Sequence, residues 1–296
     1  MANGVKIDTV LIFKRALGLF FLRLKMKTKH IRKVLLCEPS HFSVDYVINP
    51  WMKIGSINKT KATSQWKNLA NTLTKLAIKI EIIKPAKGLP DMVFAADQAL
   101  IKYKNLVLSN FHYPQRRREI KKYLPWFKKQ NFKIYKLPKK CFFEGSGECV
   151  WYGDLLFVGT GFRNSTGVCK FLSVYLNVET KCLELINPKF YHLDTCLFPL
   201  NDTTAFYYPL AFSQKSQRVL KKLVKNLIPL ADDEANNFAA NSLVTDHRVI
   251  MQKGNKNFAV KLKDLGYKTV EVDVSEFMKS GGGIHCLVQT LEEEYA

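Results

Sequence analysis

The hydrophobic positions of this chain fall into short runs, separated by single stretches of helical spacing. Residues 34–37 form a continuous apolar run and read as a buried strand. Residues 61–79 carry Trp66, Leu69, Leu73, Leu76 and Ala77 at helical spacing, which predicts an amphipathic helix, and 80–83 read as the next strand. Residues 98–108 predict a strand pair turning at Lys104-Asn105, followed by a basic helix over 116–129, shortened at Pro125. Strands are predicted at 132–135, 155–159, 173–176, 181–185, 191–197 and 205–208. A helix is predicted over 213–227, a hairpin over 243–251 turning near Asp246-His247, a helix over 258–265 and a strand over 269–272. The rhythm is a set of short strands around one helix, recurring about every fifty residues. It predicts an α/β fold with a radial, propeller-like arrangement rather than the long parallel run of a doubly wound sheet. No dinucleotide or phosphate-binding glycine motif is present to support a nucleotide fold.

Composition narrows this only a little. With 296 residues, 47% of them hydrophobic, the chain can bury a sizeable core, and no stretch is long and apolar enough for a spanning helix. The net charge of +21 suggests an anionic partner, but residues 1–33 hold nine Lys or Arg against one acid, Asp8. The remaining lysines are dispersed, with short clusters at Arg116–Arg118 and Lys139-Lys140, and no helix-turn-helix, RRM or zinc-finger pattern accompanies them. A solvated basic surface is expected, with no specific nucleic-acid partner. Residues 1–33 form a basic amphipathic extension, and residues 34–296 the main domain. The extension reads as an organelle targeting peptide, an interfacial membrane contact or a dispensable segment. The expected location is cytoplasmic, or else organellar or membrane-peripheral through that extension. The seven cysteines are scattered without a C-x-x-C pair, so no disulfide is expected and the thiols read as buried and inert, with one exception.

That exception is Cys286, in Ser280-Gly281-Gly282-Gly283-Ile284-His285-Cys286. Three glycines clear side chains from the approach to a single thiol, which suits a nucleophile. Four other segments carry chemistry. In 190–196, read as a strand, His192 and Asp194 project to one side, giving a base beside a carboxylate. In Phe142-Phe143-Glu144-Gly145-Ser146-Gly147-Glu148, Glu144 enters a glycine turn that lets it aim inward. Asp97 ends the run Asp91-Met92-Val93-Phe94-Ala95-Ala96-Asp97. It is either a strand terminus in water or a buried anion that needs a cation such as a guanidinium. Arg163 follows Gly161 and is suited to hold a carboxylate in a fork. A metal reading of Cys182, His192, Asp194 and Cys196 fits no standard zinc spacing, so neither a metal nor a cofactor is expected.

Taken in order, Asp-Met-Val-Phe-x-x-Asp, Phe-Glu-Gly-x-Gly, Gly-Phe-Arg, Tyr-His-Leu-Asp-Thr-Cys and Gly-Gly-Gly-x-x-Cys resemble the guanidino-group-modifying superfamily. It includes arginine deiminases, dimethylarginine dimethylaminohydrolases, arginine dihydrolases and glycine amidinotransferases. The segment 45–52 is most similar to the dihydrolase and amidinotransferase-like branch. The resemblance covers about residues 34–291 and implies a pentein, a five-bladed pseudo-symmetric α/β propeller with its site on the axis. It implies Cys286 as nucleophile, His192 as general acid/base and Glu144 beside the histidine. It further implies Asp97 and Asp194 on the substrate guanidinium, Arg163 on the substrate carboxylate and Asn49 as a further polar contact. The expected substrate is a small guanidino compound, hydrolysed to a citrulline-like product. The alternatives are an amidinotransferase, a dihydrolase releasing ornithine, and a basic surface-binding protein on an inactive pentein fold. The oligomeric state stays open, a homodimer being one option. Two departures stand out. The dihydrolase branch typically has Asn where this chain has Asp97, and Glu148 stands where the glutamate motif usually has Asp.

Overall fold

Five strand pairs, each followed by a helix and a third strand, build the molecule. The computed structural model describes residues 28–295. The proposed extension therefore lies outside the described residues up to residue 27, while residues 29–33 already belong to the first strand. The first blade joins the two ends of the described chain. Its central strand β1 (Lys29–Cys37) pairs in parallel with β2 (Lys79–Ile83) across helix α1 (Lys59–Lys75), and antiparallel with β15 (Gln289–Tyr295). The next three blades are β3 (Ala99–Lys102), β4 (Asn105–Leu108) and β5 (Lys133–Lys136); β6 (Cys149–Tyr152), β7 (Leu155–Thr160) and β8 (Glu179–Glu184); and β9 (Leu197–Pro199), β10 (Thr204–Tyr207) and β11 (Asn226–Pro229). The fifth is β12 (Leu243–Thr245), β13 (Arg248–Gln252) and β14 (Lys268–Val272). Helices α2 (Ile120–Lys128), α3 (Val168–Leu176), α4 (Gln214–Leu223) and α5 (Lys256–Asp264) make the parallel crossovers of the second to fifth blades. In every blade the inner pair is antiparallel and the outer pair parallel, as a tight turn and a helical crossover respectively require. This is the five-bladed α/β pentein propeller that the sequence rhythm and the resemblance imply.

The central strands explain the continuous apolar runs. A strand alternates its faces, so a strand with a core on each side is buried throughout. In β1, Val34 and Leu36 pack with Leu243, Ile250 and Val272 of the fifth blade. Leu35 and Cys37 face the other way, with Leu106, Leu108 and Tyr123 of the second. The same division recurs in β7, where Leu156 and Val158 serve one core and Phe157 the next. Each blade thus contributes to the cores on both of its sides, and the ring is held by five interblade cores.

Four elements differ from the sequence expectation, the first being helix α2, which runs through Pro125 to Lys128 instead of being cut short there. Residues 173–176 finish helix α3 rather than forming a strand. Val168, Leu172 and Leu176 are buried at four-residue spacing, and Val174 is exposed. The helix expected over 213–227 ends at Leu223, and the short edge strand β11 follows it. Residues 191–196 are not a strand, and β9 begins only at Leu197. Leu193–Thr195 make one 3-10 turn, closed by the Cys196 N–H on the Leu193 carbonyl and by Thr195 Oγ1 on the His192 carbonyl. One cysteine expectation also changes. Cys169, in the first turn of α3, and Cys182, on the adjacent β8, form a disulfide that linear spacing did not reveal. Cys37, Cys141, Cys149, Cys196 and Cys286 are free and buried.

Because Leu35 is fully buried between two blades, Leu35→Ala is expected to cost about 2–5 kcal/mol. Urea unfolding would show this as a lower midpoint at unchanged slope.

Candidate active site

Each blade delivers a short turn just before its inner strand, and the candidate residues lie on these turns. Ala95–Gln98 precedes β3 and carries Asp97, Gly145–Glu148 precedes β6 and ends at Glu148, and Leu193–Thr195 precedes β9 and carries Asp194. Ile284–Leu287 precedes β15 and carries Cys286. In the fifth blade the corresponding residue is Asn241, two positions before β12. Asn241 was not singled out from the sequence. The available signal was positional: Ala239-Ala240-Asn241 stands before its strand pair as Ala95-Ala96-Asp97 stands before the strand pair of the second blade.

The turn at 193–195 separates the two residues that a strand would have placed side by side. His192 Nε2 lies 2.8 Å from Glu144 Oε2, and His192 Nδ1 lies 3.7 Å from Asp97 Oδ1. Asp194 points instead toward the thiol. Its Oδ2 accepts from Cys286 Sγ at 3.2 Å and is 2.8 Å from His285 Nδ1. Asn241 holds Cys286 at two points, its Nδ2 donating to Sγ at 3.1 Å and its Oδ1 accepting from the Cys286 N–H. Glycine is required where these groups converge. A Cβ on Gly147 would come within 2.9 Å of His192 Nδ1 and 2.5 Å of Asp97 Oδ1. At Gly281, with φ of +87°, a Cβ would meet Tyr191 Oη and the Asn49 amide.

Asp97 is buried, as its second reading required, and its cation is Arg116. Arg116 Nη1 lies 2.7 Å from Asp97 Oδ2, and its Nε and Nη2 form a two-point fork with Glu119. In sequence Arg116 sits with Arg117 and Arg118 in a run that reads as solvated surface. It is only 3% exposed and stacks on the Phe111 ring. Arg163 is also buried. Its Nη1 donates to Glu144 Oε2 at 2.9 Å and its Nη2 to the Ile48 carbonyl, with the guanidinium held between the Tyr113 and Tyr191 rings. Within the described residues the carboxylate that Arg163 holds is Glu144. Asn49 donates to Tyr191 Oη and to the Ser280 carbonyl, and so lies against the glycine turn. Asn49, Asp91, Asp97, Arg116, Arg163, His192 and Cys286 share a pocket of about 10 Å³, room for roughly one water.

Burial sets the protonation states. It raises Glu144, but Arg163 and His192 overcome it and hold Glu144 below the usual carboxylate range. Burial lowers His192, but Asp97, Glu144 and Glu148 reverse this and raise its pKa, so the ring is held as imidazolium. Burial, with Asp194 and Asp97 adding to it, pushes the Cys286 thiol far up, so the resting group is S–H. Asp97 itself is raised because burial outweighs His192 and Arg116. Two carboxylate oxygens beside the thiol, Asp97 Oδ1 and Asp194 Oδ1, are buried without a hydrogen-bond partner. Both oxygens of Glu148 are in the same condition, and desolvation pushes its pKa up to about 8.

A buried thiol, an imidazolium and carboxylates aimed at one small pocket on a propeller axis define a guanidino-group-modifying type of site. The sequence model of the family described as eukaryotic N,N dimethylarginine dimethylhydrolase matches residues 37–292, and the chain belongs to this family. It is 38% identical over 268 residues to the bifunctional arginine dihydrolase/ornithine cyclodeaminase ArgZ of Synechocystis sp., covering 88% of this chain and 38% of that protein. The chain thus spans about two fifths of the length of that two-function relative. It is 32% identical to the N(G),N(G)-dimethylarginine dimethylaminohydrolase of Mycobacterium tuberculosis, covering 88% of this chain and 86% of that protein. Among solved structures, an Asn→Ser variant of the ArgZ N-terminal domain, covalently bound to a reaction intermediate, superposes with a TM-score of 0.85. Its sequence identity is 37%, with 88% of this chain and 98% of that chain covered.

Glu148 has a pKa raised from 4.5 to about 8 by folding, so its contribution favours the folded state fully below about pH 4.5 and is lost as pH rises toward 8. Glu148→Gln removes the ionisation. The melting temperature of the variant relative to the parent is expected to climb steadily from pH 5 to 8. A gap that stays constant across this range would show that Glu148 is already ionised in the folded protein at pH 5, with no raised pKa.

Proposed function

We propose that this protein hydrolyses the guanidinium group of arginine or a substituted arginine, through a covalent amidino-thioether on Cys286, to a citrulline-like product. The observation that carries this reading is that two buried carboxylates beside a thiol each keep one oxygen without a hydrogen bond, Asp194 Oδ1 and Asp97 Oδ1, the latter with only the His192 ring 3.7 Å away. Unpaired buried carboxylate oxygens are costly and call for N–H donors, and a planar cation with several N–H groups supplies them. The same cation favours the thiolate of Cys286 by charge.

Each residue then has a role that its geometry permits. The Cys286 thiolate attacks the guanidinium carbon. His192 gives its proton to the departing nitrogen, which leaves as ammonia or an amine. Water adds to the amidino-thioether and returns a proton to His192, the C–S bond breaks, and the urea-type product forms. Glu144 holds His192 charged and oriented between these steps. Arg163, now paired with Glu144 and the Ile48 carbonyl, is assigned to the substrate carboxylate with Asn49 beside it, while Arg116 stays the counter-ion of Asp97 and Glu119. The pocket is too small for an amino acid as it stands, so binding requires its wall to open around Arg116 and the 44–56 segment.

The reaction stops after one hydrolysis because Asp97 suits a cationic guanidinium better than a neutral urea. The likeness to an arginine dihydrolase supports a second reading, in which the ureido product is hydrolysed again and ornithine is released. The test incubates wild type and Cys286→Ser with arginine, monomethyl- and dimethylarginine, agmatine and citrulline, with and without glycine as acceptor. Wild type is expected to form citrulline, with no ornithine and no amidinated glycine, and to show a trapped adduct by mass spectrometry. Cys286→Ser is expected to fall to background. Ornithine from citrulline would establish the second reading. No turnover and no adduct on any of these compounds would defeat both.

A further inference from the structure

The proposed reaction asks for a thiolate where the protein makes one costly. Burial, Asp194 and Asp97 all push the Cys286 thiol up. A buried sulfur that has lost its proton can only accept, so it needs N–H or O–H donors. Six charged or titratable side chains share its pocket: Asp91, Asp97, Arg116, Arg163, Tyr191 and His192. Asp194 meets the sulfur from outside that pocket, with His285 bonded to it. Among the described residues, none of these eight donates a hydrogen bond to the sulfur. Arg116, Arg163 and His192 are engaged by carboxylates, and the Tyr191 hydroxyl donates to the Gly281 carbonyl.

The side chain that does donate is Asn241. Its Nδ2 lies 3.1 Å from Cys286 Sγ, and the backbone N–H of Gly283 acts on the same sulfur. The two ends of an amide are told apart by their partners, and here the partners leave one choice. Oδ1 accepts from the Cys286 N–H at 3.2 Å, a group that can only donate. Nδ2 donates to the Asp194 carbonyl at 3.3 Å, a group that can only accept. The second Nδ2 hydrogen is thereby left for the sulfur. Asn241 is fully buried, and its own carbonyl accepts from the His285 N–H at 3.1 Å. A Cβ on Gly283 would stand 2.7 Å from its Oδ1, so the two turns close on each other with no side chain between them.

Charge explains an amide at this place. The corresponding turns of the second, third and fourth blades carry Asp97, Glu148 and Asp194. A carboxylate at 241 would repel a thiolate, and a cationic side chain would compete with the guanidinium for Asp194. A neutral N–H donor does neither. We propose that Asn241 is a catalytic residue, whose Nδ2–H holds the Cys286 thiolate once a cation sits against Asp97 and Asp194. Thiol sulfur is a weak acceptor and thiolate a strong one, so this bond strengthens on ionisation and favours the charged form. The proposal rests on the nucleophilic role of Cys286, but its test does not require turnover.

The experiment uses 2-chloroacetamidine, a cationic electrophile that resembles a guanidinium. The thiolate displaces chloride, the C–S bond forming as the C–Cl bond breaks, and the thiol proton passes to the buffer. The alkylation rate of Cys286 at saturating reagent is followed by mass spectrometry between roughly pH 6 and 10. Wild type is compared with Asn241→Ala, which removes the donor without adding charge, and with Asn241→Asp, which keeps an acceptor for the Cys286 N–H. The wild-type rate is expected to level off within this range. The Asn241→Ala profile is expected to level off about one pH unit higher or more, an about tenfold loss of rate below the plateau. Asn241→Asp is expected to shift further because it adds a negative charge. If the Asn241→Ala midpoint matches wild type, whatever the height of its plateau, Asn241 is a structural support and the proposal is wrong. A wild-type rate still rising at the top of the range also overturns it, because no thiolate is then being held. Should Asn241→Ala not fold, the Asn241 side-chain amide of ¹⁵N-labelled wild type decides. With acetamidine, an unreactive cation of similar shape, one Nδ2 proton is expected to move downfield as pH rises, and its staying fixed overturns the proposal. The expected shift in Asn241→Ala, without turnover of any arginine compound by wild type, would count against the hydrolase reading and leave the role of Asn241 intact.

Discussion

The structure depends on an imbalance of buried charge. Among the described residues, six carboxyl groups at the site, Asp91, Asp97, Glu119, Glu144, Glu148 and Asp194, are buried around three buried cationic side chains, Arg116, Arg163 and His192. Removing this many anions from water is expensive unless they are paired or protonated. The protein answers in three ways. Glu144 is doubly paired and stays ionised. Glu119 and Glu148 are shifted to about 7 and about 8, so protons partly neutralise them. Asp91 is braced by the Tyr46 hydroxyl and the Ser280 hydroxyl. What remains is a site still short of positive charge, which is why a cation is the ligand that fits it. Under the proposed function, the arrangement also sets an order of events, with the thiol ionised by the arriving cation and not before it.

The blade repeat converts this electrostatics into geometry. A strand pair, a helix and a third strand bury nothing adequately alone, and only the ring of five supplies a core on both faces of each central strand. Closing the ring brings five pre-strand turns to one axis. Residues far apart in sequence, Asp97, Glu148, Asp194, Asn241 and Cys286, therefore meet without any long loop to position them. Rigid elements on every side suit a reaction in which a planar group must be held against sulfur.

Much of this was legible in the sequence because the chemistry is marked by glycine. Gly147 and Gly281 leave room that any side chain would fill, and those openings flag Glu144 and Cys286. The hidden part follows a common physical cause, that burial is not written in residue type. Arg116 stands in a run of three arginines and looks solvated, although it is the buried counter-ion of Asp97 and Glu119. Asn241 carries no glycine signature, and only its place in the blade repeat marks it. Strand alternation puts His192 and Asp194 on one face, whereas the 3-10 turn sends one toward Glu144 and the other toward Cys286. The disulfide and the edge strand β11 depend on which elements become neighbours, a matter of tertiary packing.

The first blade is stitched from the two ends of the described chain, with Lys29 opposite Tyr295. Such a pairing has the largest sequence separation the fold contains, and contacts of that kind are slow to form because the intervening chain must first be drawn together. The helical turn bearing Cys286 immediately precedes the strand that makes this contact. Folding kinetics and chemical competence are thereby linked. A partly folded chain can assemble several ββαβ units and their local cores, yet its thiol has neither Asp194 nor Asn241 beside it until the ring shuts. Maturation of the catalytic centre is then a readout of completed topology, and its rate should follow ring closure rather than the faster formation of any single blade.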